Sequence, residues 1–379
     1  MNQIFSHLIA AVILPLIAVI FLIVKRRKQF VKNKKEFWAR QNTLFLEENG
    51  FLQKNNIPSP LNFLGEFETW RTIIETVSLC NEAGLLDFLN DETGGATFEH
   101  IKNFLGFNTR AANAVIDLLL AVDVLNQFDD KFVLTENAKL YLLKKSPLYQ
   151  PLPPAKFAKR FLKIAKSGKP AGAVKKWGSG KAVKPENWAI RQHQNSFPLG
   201  FALANSGLLK GNNILDVAGG TGAVLIALGL KNPHFKMKLI ELPGSVNIAE
   251  KMIAKYGLSE QIECIGMNMF EGYWSSNMDT VLFTNIFHDW DDEKCLILAR
   301  KAYASLNSGG VISIQEALIN EGKPGPLWTV HWMVMMAIFM QGRQFRKHEL
   351  EKILTDAGFV NIRTVPLLGY YSSVTGQKP

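Results

Sequence analysis

The sequence predicts an α/β protein, with a smaller helical domain ahead of its sheet and one long apolar helix at its start. Three observations carry this reading. Residues Asn213 to Gly222 read Asn-Ile-Leu-Asp-Val-Ala-Gly-Gly-Thr-Gly, a short apolar strand closed by a glycine loop. Residues Phe283 to Asp292 read Phe-Thr-Asn-Ile-Phe-His-Asp-Trp-Asp-Asp, a strand end that delivers a histidine. Between Phe63 and Lys145, helical periodicity gives way to two short strands around Asp129-Asp130.

Taken from the start, Leu8 to Val24 holds no charged or strongly polar residue, and Ile4 and Phe5 extend it toward the roughly 20 residues that cross a bilayer. Pro15 is tolerable in a membrane helix. No positive charge precedes the run, and Lys25-Arg26-Arg27-Lys28 follows it, so the segment reads as a single-pass anchor rather than a cleaved leader. The positive-inside rule then places the remainder of the chain in the cytoplasm. The expected divisions are the anchor with its basic flank (1–28), a juxtamembrane neck (29–62), the helical domain (63–150), a linker and connecting helix (151–194) and the α/β domain (195–379).

At 379 residues, with 47% hydrophobic and 20% charged residues, the chain is long enough for two packed domains. Three cysteines, Cys80, Cys264 and Cys295, stand too far apart for a disulfide framework or a zinc site, and no metal is expected. The formal charge of +10 gathers in Lys25–Arg40 and Lys156–Lys184. The first cluster suits anionic lipid headgroups. In the second, Lys156, Lys159, Arg160 and Lys163 share a helical face opposite Phe157, Phe161 and Ile164. That pattern fits a membrane surface, or, the favoured reading, a connecting helix with a solvated basic face.

In the helical domain, Glu68–Cys80 and Leu85–Leu89 are expected helices broken at Ala83-Gly84, and Asn108–Leu120 is a third. Val124–Phe128 and Phe132–Leu134 form the strand pair, and Thr135 caps a helix over Glu136–Leu143. Helices followed by a hairpin suggest a winged helix. The helix in the DNA-reading position offers only Arg110 as a base, against Asp117 and a mostly apolar surface, so no nucleic-acid partner is expected.

In the α/β domain, the strand Ile214–Val217 leads through the glycines to a helix over Ala223–Leu230, a strand over Met237–Ile240 and then Glu241. This is the first βαβ unit of a Rossmann-like fold, whose helix N-terminus attracts acceptor atoms and whose acid suits ribose hydroxyls. A nicotinamide fingerprint would need a glycine at position 225, which is Leu225. His288 follows the strand Val281–Phe283 on the carboxyl edge of the sheet, where such folds bind ligands, and a histidine suits general-base work. A helix to Ser305, a strand over Val311–Gln315 and Glu316 come next. The apolar helix Leu327–Met340, a helix over Glu349–Ala357 and a hairpin of Asn361–Pro366 with Tyr370–Thr375 close the chain.

The glycine loop and the His288-Asp289-Trp290 motif, with the helix and acid after it, together resemble the S-adenosylmethionine-dependent O-methyltransferases of the plant caffeate and animal acetylserotonin type. The resemblance covers residues 63–379. It implies a mixed seven-stranded sheet, a winged-helix-like domain that joins two copies into a homodimer, and S-adenosylmethionine as cofactor. By resemblance, Asp216, Gly219, Gly220 and Gly222 cradle the methionine part, Glu241 with Leu242 holds the ribose, and Asn268 and Met269 flank the adenine. His288 would be the base and Glu316 would orient its ring, with Gln344 where relatives carry a second acid. Trp332, Met333, Met336, Phe339 and Met340 would line the acceptor pocket.

Four positions depart from the family pattern: Ala218 for a glycine, Asn268 for an aspartate, Thr284 for a lysine and Gln344 for the acid. Glutamine cannot neutralise an imidazolium, so His288 is expected to be a weaker base than in relatives. The resulting expectation is a membrane-anchored O-methyltransferase acting on a hydroxyl of a small lipophilic or aromatic acceptor. Two alternatives stay open: the same fold and cofactor serving a non-methylating reaction, and a non-catalytic S-adenosylmethionine-binding protein.

Overall fold

The computed structural model describes residues 60–155, 158–167, 186–339 and 341–379, all within one compact unit running Pro58–Pro379. In the helical half, α1 (Pro60–Glu82) and α2 (Leu85–Asp91) are separated at Gly84, whose φ of 80° is a left-handed turn open to glycine. Strand β1 (Ala96–Thr97) leads into α3 (Phe98–Leu105), where the Thr97 hydroxyl caps the first turn by accepting from the His100 N–H at 3.3 Å. Asn108 caps α4 (Thr109–Ala121) in the same way, accepting from Ala111 N–H at 3.1 Å. The expected strand pair is present as β2 (Leu125–Phe128) and β3 (Lys131–Leu134), joined by β1 into an antiparallel sheet of order β1-β3-β2. Thr135 caps α5 (Glu136–Leu142), accepting from Ala138 N–H at 3.2 Å. Helix α6 (Ala158–Ser167) buries Phe161, Ile164 and Ala165 in this half's core and leaves Lys163 in solvent. It is thus a connecting helix whose apolar face is already covered.

The α/β half begins with α7 (Glu186–Ala204), then alternates through β4 (Asn213–Val217), α8 (Ala223–Lys231), β5 (Lys236–Glu241), α9 (Val246–Lys255), β6 (Ile262–Gly266) and β7 (Met278–Thr284). A single turn at Phe287–Asp289 precedes α10 (Asp292–Ser305) and β8 (Leu306–Ala317). Next are α11 (Leu327–Phe339), α12 (Lys347–Asp356), β9 (Val360–Leu368) and β10 (Tyr371–Gln377). The strands form a mixed seven-stranded sheet of order β6-β5-β4-β7-β8-β10-β9, in which β10 alone runs against its neighbours β8 and β9. The chain winds outward from β4 to β6 and then returns to lay β7 on β4's other side. The carboxyl ends of β4 and β7 therefore flank the switch point, where sheets of this kind open a crevice. Helix α7 lies close on α8: a Cβ at Gly200 would stand 2.7 Å from the Cβ of Ala227.

Helix α11 is buried on almost every side, yet its packing crosses the sequence divide. Its Met333, Val334 and Ala337 belong to the core of the helical half, with Leu118 and Leu119 of α4. Arg110 of α4 donates to the carbonyls of Met336 at 3.3 Å and Ala337 at 3.2 Å, capping α11's last turn, and to Gly342 at 3.3 Å. Asp117, one α4 face along, pairs with Arg346 at 3.2 Å. Burial, partly offset by Arg346, pushes the Asp117 carboxyl up to about 6. Both charges of the helix in the DNA-reading position are thus used inside the protein.

The single-pass membrane expectation requires correction. Among the described residues no helix is long and apolar enough to cross a membrane. Helix α11 is the most apolar, but its 13 residues rise only about 20 Å, against about 30 Å of hydrocarbon. The expected anchor (1–28) and most of the neck (29–62) lie outside the described residues.

Candidate active site

Strand β4 carries Asp216 to its end in a wholly buried position, and neither carboxylate oxygen has a hydrogen-bond partner. Burial, with the charge of Glu241 adding to it, pushes the Asp216 carboxyl up to about 7. The loop after it takes left-handed backbone at Ala218 (φ 58°), Gly220 (φ 64°) and Gly222 (φ 74°). A side chain at Gly219 would collide with the Asp216 carboxylate, whereas a Cβ at Gly220 would meet no atom within 4 Å. The loop is therefore closed beneath Gly219 and open beside Gly220. Glu241, at the end of β5, accepts from Gly220 N–H at 2.9 Å and from Leu242 N–H at 2.8 Å. The two carboxylates thus stand at the ends of neighbouring strands, and that of Asp216 is buried without a partner.

Alongside lies a cleft of about 520 Å³, lined by Ala218, Ile240, Glu241, Leu242, Met267, Asn268, Met269, Phe270, Ile286, Asp289 and Trp290. Four residues expected at the cofactor, Glu241, Leu242, Asn268 and Met269, thus share one wall. Asn268 Oδ1 accepts from Phe270 N–H at 3.2 Å, its amide donates to Glu271 at 2.9 Å, and Met269 O accepts from the Trp274 indole at 3.1 Å. The Phe270 ring meets Trp290 edge to face at 4.8 Å, tying this segment to the histidine turn.

His288 sits in the turn Phe287–Asp289, which is pinned by the buried Phe287 ring against Phe283 at 5.0 Å. Glu316, wholly buried on β8, accepts from His288 Nδ1 at 2.7 Å and from its backbone N–H at 3.3 Å. Nδ1 carries the proton, so Nε2 is the nitrogen left to act. Asp289 Oδ1 stands 3.4 Å from Nε2. Burial alone would lower the imidazole pKa, but the Glu316 and Asp289 charges outweigh it and raise the ring to about 9.

The weaker-base expectation rested on Gln344, which is not among the groups that hold the ring. Gln344, buried at 2% exposure, donates to the Met336 sulfur at 3.4 Å, and its Oε1 has no partner. The second carboxylate beside the ring is Asp289, from the histidine's own motif. A Cβ at Gly342 would collide with the His288 carbonyl, so the 341–344 segment presses on the turn without supplying its charge.

The expected acceptor residues are placed unevenly. Met336 touches Gln344, Met333 is packed in the helical half's core, and the half-buried Trp332 stacks on Trp328 at 5.9 Å. Trp328 stacks in turn on Tyr370 at 5.7 Å. The side chain of Phe339 and all of Met340 lie outside the described residues.

The pKa of His288 sets a pH dependence. Were His288 the general base, only its neutral ring could accept a proton, and the active fraction would grow as pH rises toward about 9. Initial rates at saturating cofactor are expected to climb close to tenfold per pH unit from neutrality and level near 9. Asp289→Asn removes one of the two charges and is expected to shift that profile to lower pH. A profile flat from 6 to 10 in both proteins would contradict this assignment. The same shift feeds stability: the charged pairing stabilises fully below the histidine's unfolded pKa of about 6.5 and is lost as pH rises through about 9.

Residues 189–360 match the family model of the O-methyltransferase domain. A 3-hydroxy-5-methyl-1-naphthoate 3-O-methyltransferase of Streptomyces sahachiroi is 28% identical over 314 residues, spanning 78% of this chain and 88% of its own. An acetylserotonin O-methyltransferase of Bos taurus is 28% identical over 169 residues, 44% of this chain and 47% of its own. Among solved structures, an O-methyltransferase family 2 protein of Planctomyces limnophilus in complex with apigenin superposes with a TM-score of 0.73, at 20% identity, covering 86% of this chain and 98% of that one. Human N-acetylserotonin methyltransferase in complex with S-adenosylmethionine superposes at 0.51, with 18% identity, covering 86% and 99%. At such identities the likeness to the two structures is one of fold.

Proposed function

We propose that this chain, an S-adenosylmethionine-dependent O-methyltransferase, methylates a phenolic hydroxyl of a small aromatic acceptor with His288 as general base. The observation that carries the proposal is the shared cleft, whose lining includes both the Glu241–Asn268 wall and Asp289-Trp290 of the histidine turn. His288 and the loop glycines stand outside that lining, so the cleft links the Glu241–Asn268 wall to the turn that carries the histidine, through Asp289 and Trp290.

The residues fit the cofactor. Asp216 offers two unpartnered buried oxygens to its ammonium, and the open side of Gly220 admits a close approach. Glu241 suits the ribose hydroxyls, and the Asn268 carbonyl oxygen, with a second lone pair to spare, suits the adenine amine. When bound, S-adenosylmethionine supplies a methyl group already activated by its sulfonium. The protein's tasks are then alignment and removal of one proton. Glu316 would hold the ring so that Nε2 takes the acceptor hydroxyl's proton, and the methyl would pass to that oxygen as its carbon–sulfur bond breaks, leaving a neutral thioether. A base near 9 is well matched to a phenol near 10, since proton transfer between such groups is almost balanced. An aliphatic alcohol is far less acidic. The naphthoate named for the Streptomyces relative carries a hydroxyl of the phenolic kind, which supports the same class.

The test is mass spectrometry of products from a panel of naphthols, catechols and hydroxyflavones with labelled cofactor. The expected product is heavier by one methyl in place of one hydrogen, and cofactor cleavage without that gain would defeat the proposal.

The helical half, with its helices and three-stranded sheet, is proposed as a winged-helix-like dimerisation unit. Trp70 (55% exposed) and Ile74 (39%), one helical turn apart on α1, give it an apolar stripe suited to a second copy. Light scattering is expected to give twice the chain mass, and Trp70→Glu with Ile74→Glu to give the single chain. A monomeric parent protein would exclude the dimer.

A further inference from the structure

His193 has no part in the assignments above, yet it contacts the same loop. It lies on α7, 3% exposed, with its ring stacked on Phe197 at 5.2 Å and on Tyr256 at 6.0 Å. Its Nδ1 is 2.8 Å from the hydroxyl of Thr221, which stands between Gly220 and Gly222. Its Nε2 is buried and has no hydrogen-bond partner. The close fit of α7 on α8 at Gly200 fixes the helix, and thus the ring, against the loop. A buried imidazole nitrogen left unpartnered beside the loop is costly unless a ligand or a water satisfies it.

We propose that His193 is a cofactor-binding residue, with Nε2–H donating to the carboxylate of the methionine part of S-adenosylmethionine. The inference rests on the reading of the glycine loop as the cofactor cradle. The ring is neutral, because burial and the nearby Lys255 pull its pKa down to about 4. A neutral imidazole bears one N–H. With the Thr221 hydroxyl donating to Nδ1, that N–H falls on Nε2 and requires an acceptor. Lys255, on α9, contributes a positive potential at the ring, which favours an anionic acceptor over an ammonium. Asp216 and His193 would then divide the amino-acid end of the cofactor between them, one taking the ammonium and the other the carboxylate.

The test compares two ligands by isothermal titration: S-adenosylhomocysteine, which has the amino-acid end, and 5′-methylthioadenosine, which lacks it. Three variants sort the nitrogens. His193→Phe keeps a ring to stack and has neither nitrogen. The amide nitrogen of His193→Gln reaches the place of Nε2, and that of His193→Asn only the place of Nδ1. His193→Phe and His193→Asn are expected to lose at least about tenfold in affinity for S-adenosylhomocysteine, and His193→Gln to retain most of it. All three should bind 5′-methylthioadenosine as the parent does. Equal losses for both ligands, or no loss for either, would overturn the proposal. A parent protein that binds neither ligand would instead overturn the reading of the cradle itself.

Discussion

His288→Ala is expected to lower turnover by at least about two orders of magnitude while leaving S-adenosylmethionine affinity almost unchanged. A positioned base contributes roughly 10²–10⁴-fold, and here position is set twice. Glu316 holds both the Nδ1 and the backbone N–H of His288, and the buried Phe287 ring anchors the turn from below. The side chain stands on the turn after β7, whereas Asp216, the loop glycines and Glu241 follow β4 and β5, so its removal leaves those residues in place. Removing the ring also leaves Glu316 wholly buried without its cation, which destabilises the fold. His288→Asn keeps a donor at the place of Nδ1 for Glu316 and lacks the base. It separates the two effects: its melting temperature should stay near the parent value while its rate falls as far as that of the alanine variant. Full activity in either variant would remove His288 from the mechanism.

Gly220→Val is expected to do the opposite, abolishing measurable cofactor binding in a protein that still folds. The backbone there has φ 64° and a Cβ would meet open space, so nothing in the protein itself blocks the side chain. Two costs follow. A β-branched residue held in left-handed backbone costs about 1–3 kcal/mol, and because the loop has this backbone without ligand, that cost falls on the fold. The valine methyl groups also fill the open side of the loop, where a ligand must approach the backbone. Gly220→Ala carries most of the strain and less bulk, and its loss should be smaller. A titration giving parent-like affinity for Gly220→Val would move the cradle elsewhere.

Much of the fold was legible because its signals are local. Apolar runs such as Ile214–Val217 and Val281–Phe283 mark central strands, and Asn108 and Thr135 sit where cap chemistry requires them. The glycine loop and Glu316 were legible for the same reason: spacing along the chain determines what can stand at a strand end. What escaped depends on contacts distant in sequence. His193 gives no sign in its own neighbourhood that it will meet Thr221, because the meeting depends on how closely α7 lies on α8. Asp289 stands beside the histidine in the sequence, but the family pattern points to position 344 for the second carboxylate. Only the direction of side chains in the turn reveals which of the two faces Nε2. Arg110 read as a lone surface base, and its true partners are carbonyls more than two hundred residues away. The membrane reading rested on hydropathy of a segment outside the described residues, and no helix within them supplies a span.

The shared packing of α11 has a consequence for anyone who would recombine this protein with another. Its sequence lies in the catalytic half, but Met333, Val334 and Ala337 complete the core of the helical half, and Arg110 from that half closes its last turn. A chimera cut in the linker would separate a plug from its socket on both sides of the cut. One half would be left with an open hydrophobic hole and the other with an uncapped apolar rod. Exchange of acceptor preference between relatives should therefore succeed when α11 travels together with α4, and fail when either moves alone.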